Sequence, residues 1–152
     1  MKWIEEGGIL KYSIQLDKYG EFADGSRDDE IIKYAKAIKA VEPHQVMVLP
    51  GFEPDLYVTE MRKGKPNLKY KGTPEEYRLA FRRFVDVFRD EGVENAVWAL
   101  DYSWDIQFFP DLAVELWPGD IVDWLFVHVY QFRSIDDPSG LGDCVGGFKK
   151  IY

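Results

Sequence analysis

The chain has 152 residues, and its 19 basic and 27 acidic side chains give a net charge of −8 at pH 7. That length suits one domain with a sizeable core, and the negative surface field disfavours nucleic acid and anionic membrane as partners. One cysteine, Cys144, and two histidines, His44 and His128, form neither an intrachain disulfide nor a zinc cluster, so we expect no metal and no cofactor.

The sequence contains no apolar stretch near the roughly 20 residues that a membrane span requires. Its first eight residues, MKWIEEGG, lack the apolar region of a secretory signal. Neither observation fixes the compartment, because a signal can be removed from the mature protein.

The first half of the chain predicts a strand, a helix and a second strand. Residues 9–16 are rich in β-branched and aromatic side chains, which favours a strand, and residues 17–20 are turn-forming. Ser26, three residues before Asp29, then predicts a capping-box-like start for a helix with the pattern Ile31, Ala35 and Ile38, which Pro43 ends. Residues 45–49 are nearly all apolar, as expected of a strand buried on both faces of a parallel sheet.

The second half repeats this alternation. Thr73, Pro74 and Glu76 form a capping-box start for a helix that runs to Gly92. Residues 96–100 predict a third buried strand, residues 111–116 a short helical turn, and residues 122–130 a fourth strand, whereas little regular structure is expected beyond it.

This order of elements is typical of parallel strands joined by right-handed crossovers, so we predict an α/β fold with about four parallel β/α units of a TIM barrel. A complete barrel takes about 250 residues. The chain is therefore a piece of a barrel, a half that assembles with another, or a small open sheet.

Ligands of parallel α/β folds bind where the carboxyl ends of the strands converge. The candidates at the four predicted exits are Asp17 and Tyr19; Glu53 and Asp55; Asp101, Tyr102 and Trp104; and Tyr130 with Gln131. Their aromatic rings are suited to stacking on sugar faces, whereas Trp98, Trp117 and Trp124 are better explained as core residues.

Glu53 is the best candidate for a catalytic carboxyl group. Phe52 and Pro54 flank it, and apolar neighbours favour the protonated form that a general acid needs. A surface glutamate in a loop is the alternative. Asp101 with Asp105 suits either a cation or local turn chemistry, and His128, inside an apolar run, is more often a hydrogen-bonded core residue than a base.

Five segments, in order, resemble glycoside hydrolase family 26. They are residues 49–55 (LPGFEPD), 72–77 (GTPEEY), 81–89 (FRRFVDVFR), 93–100 (VENAVWAL) and 117–124 (WPGDIVDW). The resemblance covers about residues 45–130 and extends more faintly back to Gly8. It implies a (β/α)8 barrel enzyme of the β-mannanase type, acting on β-linked polysaccharide and secreted.

By this resemblance Glu53 falls on the acid/base glutamate that ends the family's fourth strand, and Tyr130 falls on an aromatic residue that lines the sugar site. Phe52 replaces the family's usual histidine, and Pro54 and Asp55 replace Met-Asn. The family's nucleophile is a second glutamate at the end of the seventh strand. No glutamate follows Glu115, so we expect the chain to stop before that strand and to be inactive alone.

Three hypotheses follow from the sequence. The first is a retaining β-glycan hydrolase with Glu53 as acid/base. The second is a non-catalytic, carbohydrate-binding half barrel, or a subunit that completes its sheet with another chain. The third is a different barrel enzyme in which Glu53 and a loop aspartate use a divalent cation.

Overall fold

The computed structural model of the protein describes residues 7–57 and 71–128. Its strands are β1 (Leu10–Ile14), β2 (Val46–Pro50), β3 (Ala96–Tyr102) and β4 (Trp124–Val127). Its α-helices are α1 (Tyr19–Ala23), α2 (Asp28–Lys39), α3 (Pro74–Asp90) and α4 (Pro110–Leu116), with a 3-10 helix at Trp104–Phe108 and a helical segment at residues 54–57.

All four described strands are parallel and lie in one sheet in the order β1-β2-β3-β4. Tyr12 pairs with Val48, and Val48 pairs with Trp98, so these residues share one face of the sheet. The predicted class, α/β with parallel strands of a partial TIM-barrel-like fold, is confirmed.

Helices α2, α3 and α4 pack on that same face. The Tyr12 ring contacts Tyr34 of α2, Trp98 contacts Phe88 of α3, and the Tyr102 hydroxyl donates to a carbonyl of α4. The strands lie in the sheet in the same order as in the chain, with these helices on one face, which is the arrangement found in a β/α barrel. A doubly wound sheet reverses its strand order and covers both faces.

Helix α3 anchors the core as its sequence predicts. Thr73 accepts the Glu76 N–H, and the Glu76 carboxylate accepts the Thr73 N–H, which completes the capping box. Phe81, Phe84 and Phe88 are almost fully buried, and α3 contacts α1, α2 and α4. One aromatic stripe therefore joins the helical layer to the sheet.

The first helical region differs from its prediction. Ser26 does not cap α2, because its N–H and hydroxyl both bond to Asp24, and α2 begins at Asp28 without a side-chain cap. The turn expected at residues 17–20 passes directly into α1. Local side-chain bonding of Ser and Asp competes with capping.

Two tryptophans expected in the core are exposed instead. Trp117, which follows α4, is 39% exposed, and Trp124 is 57% exposed, whereas Trp98 is 9% exposed. Trp124 pairs with Ala99, on the face of the sheet opposite the three helices. An apolar run therefore predicted the strand correctly but not which of its residues the helices cover.

Within residues 7–57 and 71–128, no helix is long and apolar enough to cross a membrane.

Candidate active site at the carboxyl ends of the strands

A tight turn carries Glu53 from the end of β2 toward β3. Gly51 has φ +81° and Glu53 has φ +44°, both in the left-handed region that side chains disfavour. The Tyr77 hydroxyl donates to the Pro50 carbonyl at 2.9 Å, and a Cβ on Gly51 would lie 2.7 Å from the Tyr77 ring. Only glycine allows Tyr77 to approach so closely, so α3 fixes the turn that positions Glu53.

Glu53 lies almost entirely inside the protein, with 6% of its surface exposed. Its backbone N–H donates to Oδ1 of Asp101 at 2.9 Å, and its Oε1 lies 2.8 Å from Nδ1 of His128. The sequence alternative of a surface loop glutamate is therefore not what the structure shows. The catalytic role of Glu53 stays a prediction.

His128 directly follows β4 and joins the same group of side chains. Its Nε2 lies 3.5 Å from Oδ2 of Asp101, and the Phe52 ring centroid is 4.9 Å from the imidazole. The predicted strand of residues 122–130 placed His128 inside the sheet, whereas β4 ends at Val127. The available signal was alternation, since Phe126 pairs with Asp101 and His128 lies two residues further on the same face.

Asp101, at 0% exposure, connects all four strands at this edge. Besides Glu53 and His128, it faces Lys11 of β1, whose Nζ lies 3.7 Å from Oδ2. The Lys11 ammonium also lies 5.2 Å from the Phe126 ring centroid. A buried carboxylate needs such partners because desolvation otherwise disfavours its charge. Lys11 is thus a residue of this site that was not predicted from the sequence.

Asp55 lies behind Glu53 and is fully buried. The Ser103 N–H donates to its Oδ1 at 2.8 Å and the Ser103 hydroxyl to its Oδ2 at 2.6 Å. Burial raises the pKa of Asp55 to about 7, and the two Ser103 bonds act in the opposite direction. Asp55 thus ties the β2 exit to the β3 exit from inside the protein.

The other candidates occupy different environments. Tyr19 and Tyr102 are 1% exposed and lie in the core, where the Tyr102 hydroxyl donates to the Ala113 carbonyl. Asp17 is exposed and faces Arg27, and Trp104 is partly exposed at the start of the 3-10 helix. Tyr130 and Gln131 lie outside the described residues, and the substrate-binding role of all these residues stays a prediction.

The described residues, 7–57 and 71–128, contain no group of three or more His, Cys, Asp or Glu side chains that is arranged to hold a metal ion.

Two buried carboxylates and one imidazole, from three adjacent strand exits, form an arrangement suited to proton transfer. A carboxyl group held at a fixed position beside a partly exposed imidazole can give or take a proton at the open edge of the sheet. The His128 side chain is 21% exposed and that of Glu53 is 8% exposed, so the pair lies at the surface of the core and not deep within it.

Comparison with solved structures supports this fold. The chain is similar to the catalytic domain of Bacillus sp. JAMB-750 GH26 endo-beta-1,4-mannanase, with a TM-score of 0.62 and 19% sequence identity. The match covers 98% of this chain and 44% of that domain, so the chain spans less than half of its neighbour. No protein-family profile matches the sequence, and no curated protein matches it.

Proposed function

We propose that this chain supplies the acid/base part of a retaining glycoside hydrolase site acting on mannan or a related β-linked polysaccharide. Glu53 is the acid/base residue. The observation that carries the proposal is its position at the carboxyl end of β2, buried and bonded to Asp101 and His128. The fold is like that of a glycoside hydrolase catalytic domain, and strand ends at this edge hold the catalytic residues of such barrels.

Retaining hydrolysis needs two carboxyl groups roughly 5–5.5 Å apart. In the first step Glu53 protonates the leaving glycosidic oxygen while the second carboxylate attacks the anomeric carbon. In the second step Glu53 takes a proton from water, which then displaces the enzyme from the sugar. Asp101 and Asp55 are fully buried and engaged by neighbours, so strands beyond the described four would contribute the nucleophile.

Hydrolysis of mannan, xylan and mixed-linkage glucan by a protein that joins this chain to the strands with the nucleophile, followed as released reducing ends, tests the proposal. Replacing Glu53 with Gln removes the transferable proton and should lower the rate about 10²- to 10⁴-fold. Glu94→Gln is the matched control, because Glu94 is exposed and precedes β3 at the opposite edge of the sheet. A Glu53→Gln protein with full activity would end the proposal.

A second candidate is a carbohydrate-binding half barrel without catalysis, or a subunit that completes its sheet with another chain. It is favoured by the outer positions of β1 and β4 in the described sheet and by exposed Trp124 on the face away from the helices. Unpaired strand edges tend to be covered. Size-exclusion chromatography with light scattering tests it, and a stable monomer without glycan affinity contradicts both forms.

A further inference from the structure

Three residues form a closed ring of contacts at the carboxyl edge. The Glu53 backbone N–H donates to Asp101 Oδ1, His128 Nδ1 contacts Glu53 Oε1, and His128 Nε2 faces Asp101 Oδ2. Glu53 follows β2, Asp101 is the penultimate residue of β3, and His128 follows β4. The imidazole therefore stands between two carboxyl groups and couples the exits of three strands.

The number of protons in this ring is constrained by its chemistry. Ionised carboxylates only accept hydrogen bonds, a neutral imidazole has one N–H, and an imidazolium has two. The Nε2 atom lies 3.5 Å from Oδ2 of Asp101, which is a charge contact and not a hydrogen bond. The 2.8 Å contact between Nδ1 and Oε1 needs one proton between the two atoms, carried by the ring or by Glu53.

The surroundings keep the imidazole in this orientation. Phe52 lies 4.9 Å from it, ring centroid to ring centroid. Within residues 7–57 and 71–128, the charged and titratable groups facing the ring and its partners include Glu53 and Asp55 after β2, Asp101 of β3 and Lys11 of β1. Because most of this environment is buried, charge interactions within it are stronger than at the surface.

We propose that His128 is the positioning residue of Glu53, which rests on the acid/base role proposed above. With Nδ1–H donating to Oε1, the imidazole leaves Oε2 as the oxygen that transfers the proton. When Oε2–H protonates the leaving oxygen and the bond from that oxygen to the anomeric carbon breaks, the Nδ1–H stays in place and stabilises the carboxylate that forms.

Nuclear magnetic resonance of the ring nitrogens tests the contact without any need for catalysis. The protein has two histidines, and exposed His44, before β2, is an internal control. We expect the ring-nitrogen signals of His128 to change in Glu53→Gln, because an amide replaces the carboxyl group that Nδ1 faces, while those of His44 stay. Unchanged His128 signals would overturn the proposal, whatever the activity.

Kinetics then separate positioning from a merely structural role. In the protein that also contains the nucleophile, replacing His128 with Asn should lower kcat about ten- to a hundredfold with a smaller change in KM, since misplaced catalytic groups cost up to about 10² in rate. Loss of the Nδ1–H that stabilises the carboxylate of Glu53 should also move the alkaline limb of the pH profile of kcat to higher pH. His44→Gln should change neither.

A His128→Asn protein that loses activity without a shift of this limb, or that loses it only in proportion to unfolding, overturns the positioning role. Altered His128 signals in Glu53→Gln together with full activity of that variant would instead refute the acid/base role of Glu53. The failure of the inference and the failure of the proposed function are thus distinguishable.

Discussion

The backbone N–H of Glu53 donates to Oδ1 of Asp101 across 2.9 Å, and Glu53 adopts a left-handed backbone with φ +44°. Glu53 thus bonds to a buried carboxylate on the next strand while its backbone has a conformation that costs residues other than glycine roughly 1–2 kcal/mol. Strained backbone held in place by its surroundings is typical of functional positions.

The strain at Glu53 predicts that a glycine variant at this position is more stable than an alanine variant. Glu53→Ala and Glu53→Gly both delete the carboxyl group, but glycine adopts positive φ without a Cβ penalty. We expect the Gly variant to have an unfolding free energy about 1 kcal/mol above that of the Ala variant. Urea denaturation of both proteins measures the difference, and an Ala variant that is the more stable one would show that Glu53 is not strained.

Gly51 should tolerate alanine poorly. A Cβ there would lie 2.7 Å from the Tyr77 ring and would also meet a φ of +81°, so we expect Gly51→Ala to lower the unfolding free energy by about 2 kcal/mol or more. Gly92→Ala is the control, because its φ is also positive but a Cβ there meets only the flexible end of Lys39. Equal losses in the two variants would contradict the close approach of Tyr77.

Asp55 should make stability depend on pH. Burial raises the pKa of Asp55 from an ordinary 3.8 to about 7 in the folded protein. Between these values the folded state holds a proton that the unfolded state has lost, so the unfolding free energy should fall as pH rises from about 4 to about 7. A shift of this size corresponds to roughly 4 kcal/mol.

Asp55→Asn removes this titration while keeping an acceptor for the Ser103 N–H. Denaturant unfolding at several pH values should therefore show a smaller loss of stability toward neutral pH in Asp55→Asn than in the unmodified protein. Parallel pH dependences of the two proteins would contradict a protonated, buried Asp55.

The sequence predicted the fold well where local signals and periodicity agree. The α3 start at Thr73 and Pro74 and the short apolar strand β2 emerge from residue type alone, because capping and burial leave recognisable patterns. The prediction that Ser26 caps a helix was wrong because its hydroxyl donates to the Asp24 carboxylate instead. Such competition between neighbouring polar groups depends on backbone geometry, which the sequence pattern does not contain.

The candidate site was predicted in part. The position of Glu53 at a strand exit follows from the strand's end at Pro50. Asp101, which was predicted in the loop after residues 96–100, is instead the penultimate residue of β3. Its contacts with His128 and Lys11 depend on sheet register and on where β4 ends. The sequence pattern placed His128 inside the strand because apolar residues lie on both sides of it. Such a pattern does not define the end of a strand to within one or two residues.

Sugar binding at this edge tests the central claim most directly, and it requires no second carboxylate. Hexasaccharides of β-1,4-linked mannose, xylose or glucose can be titrated into the protein while the ring signals of both histidines are recorded. We predict that at least one of them shifts the His128 signals and leaves those of His44 in place. If none of the three perturbs His128 at millimolar concentrations, Glu53 and its neighbours do not form a β-glycan site.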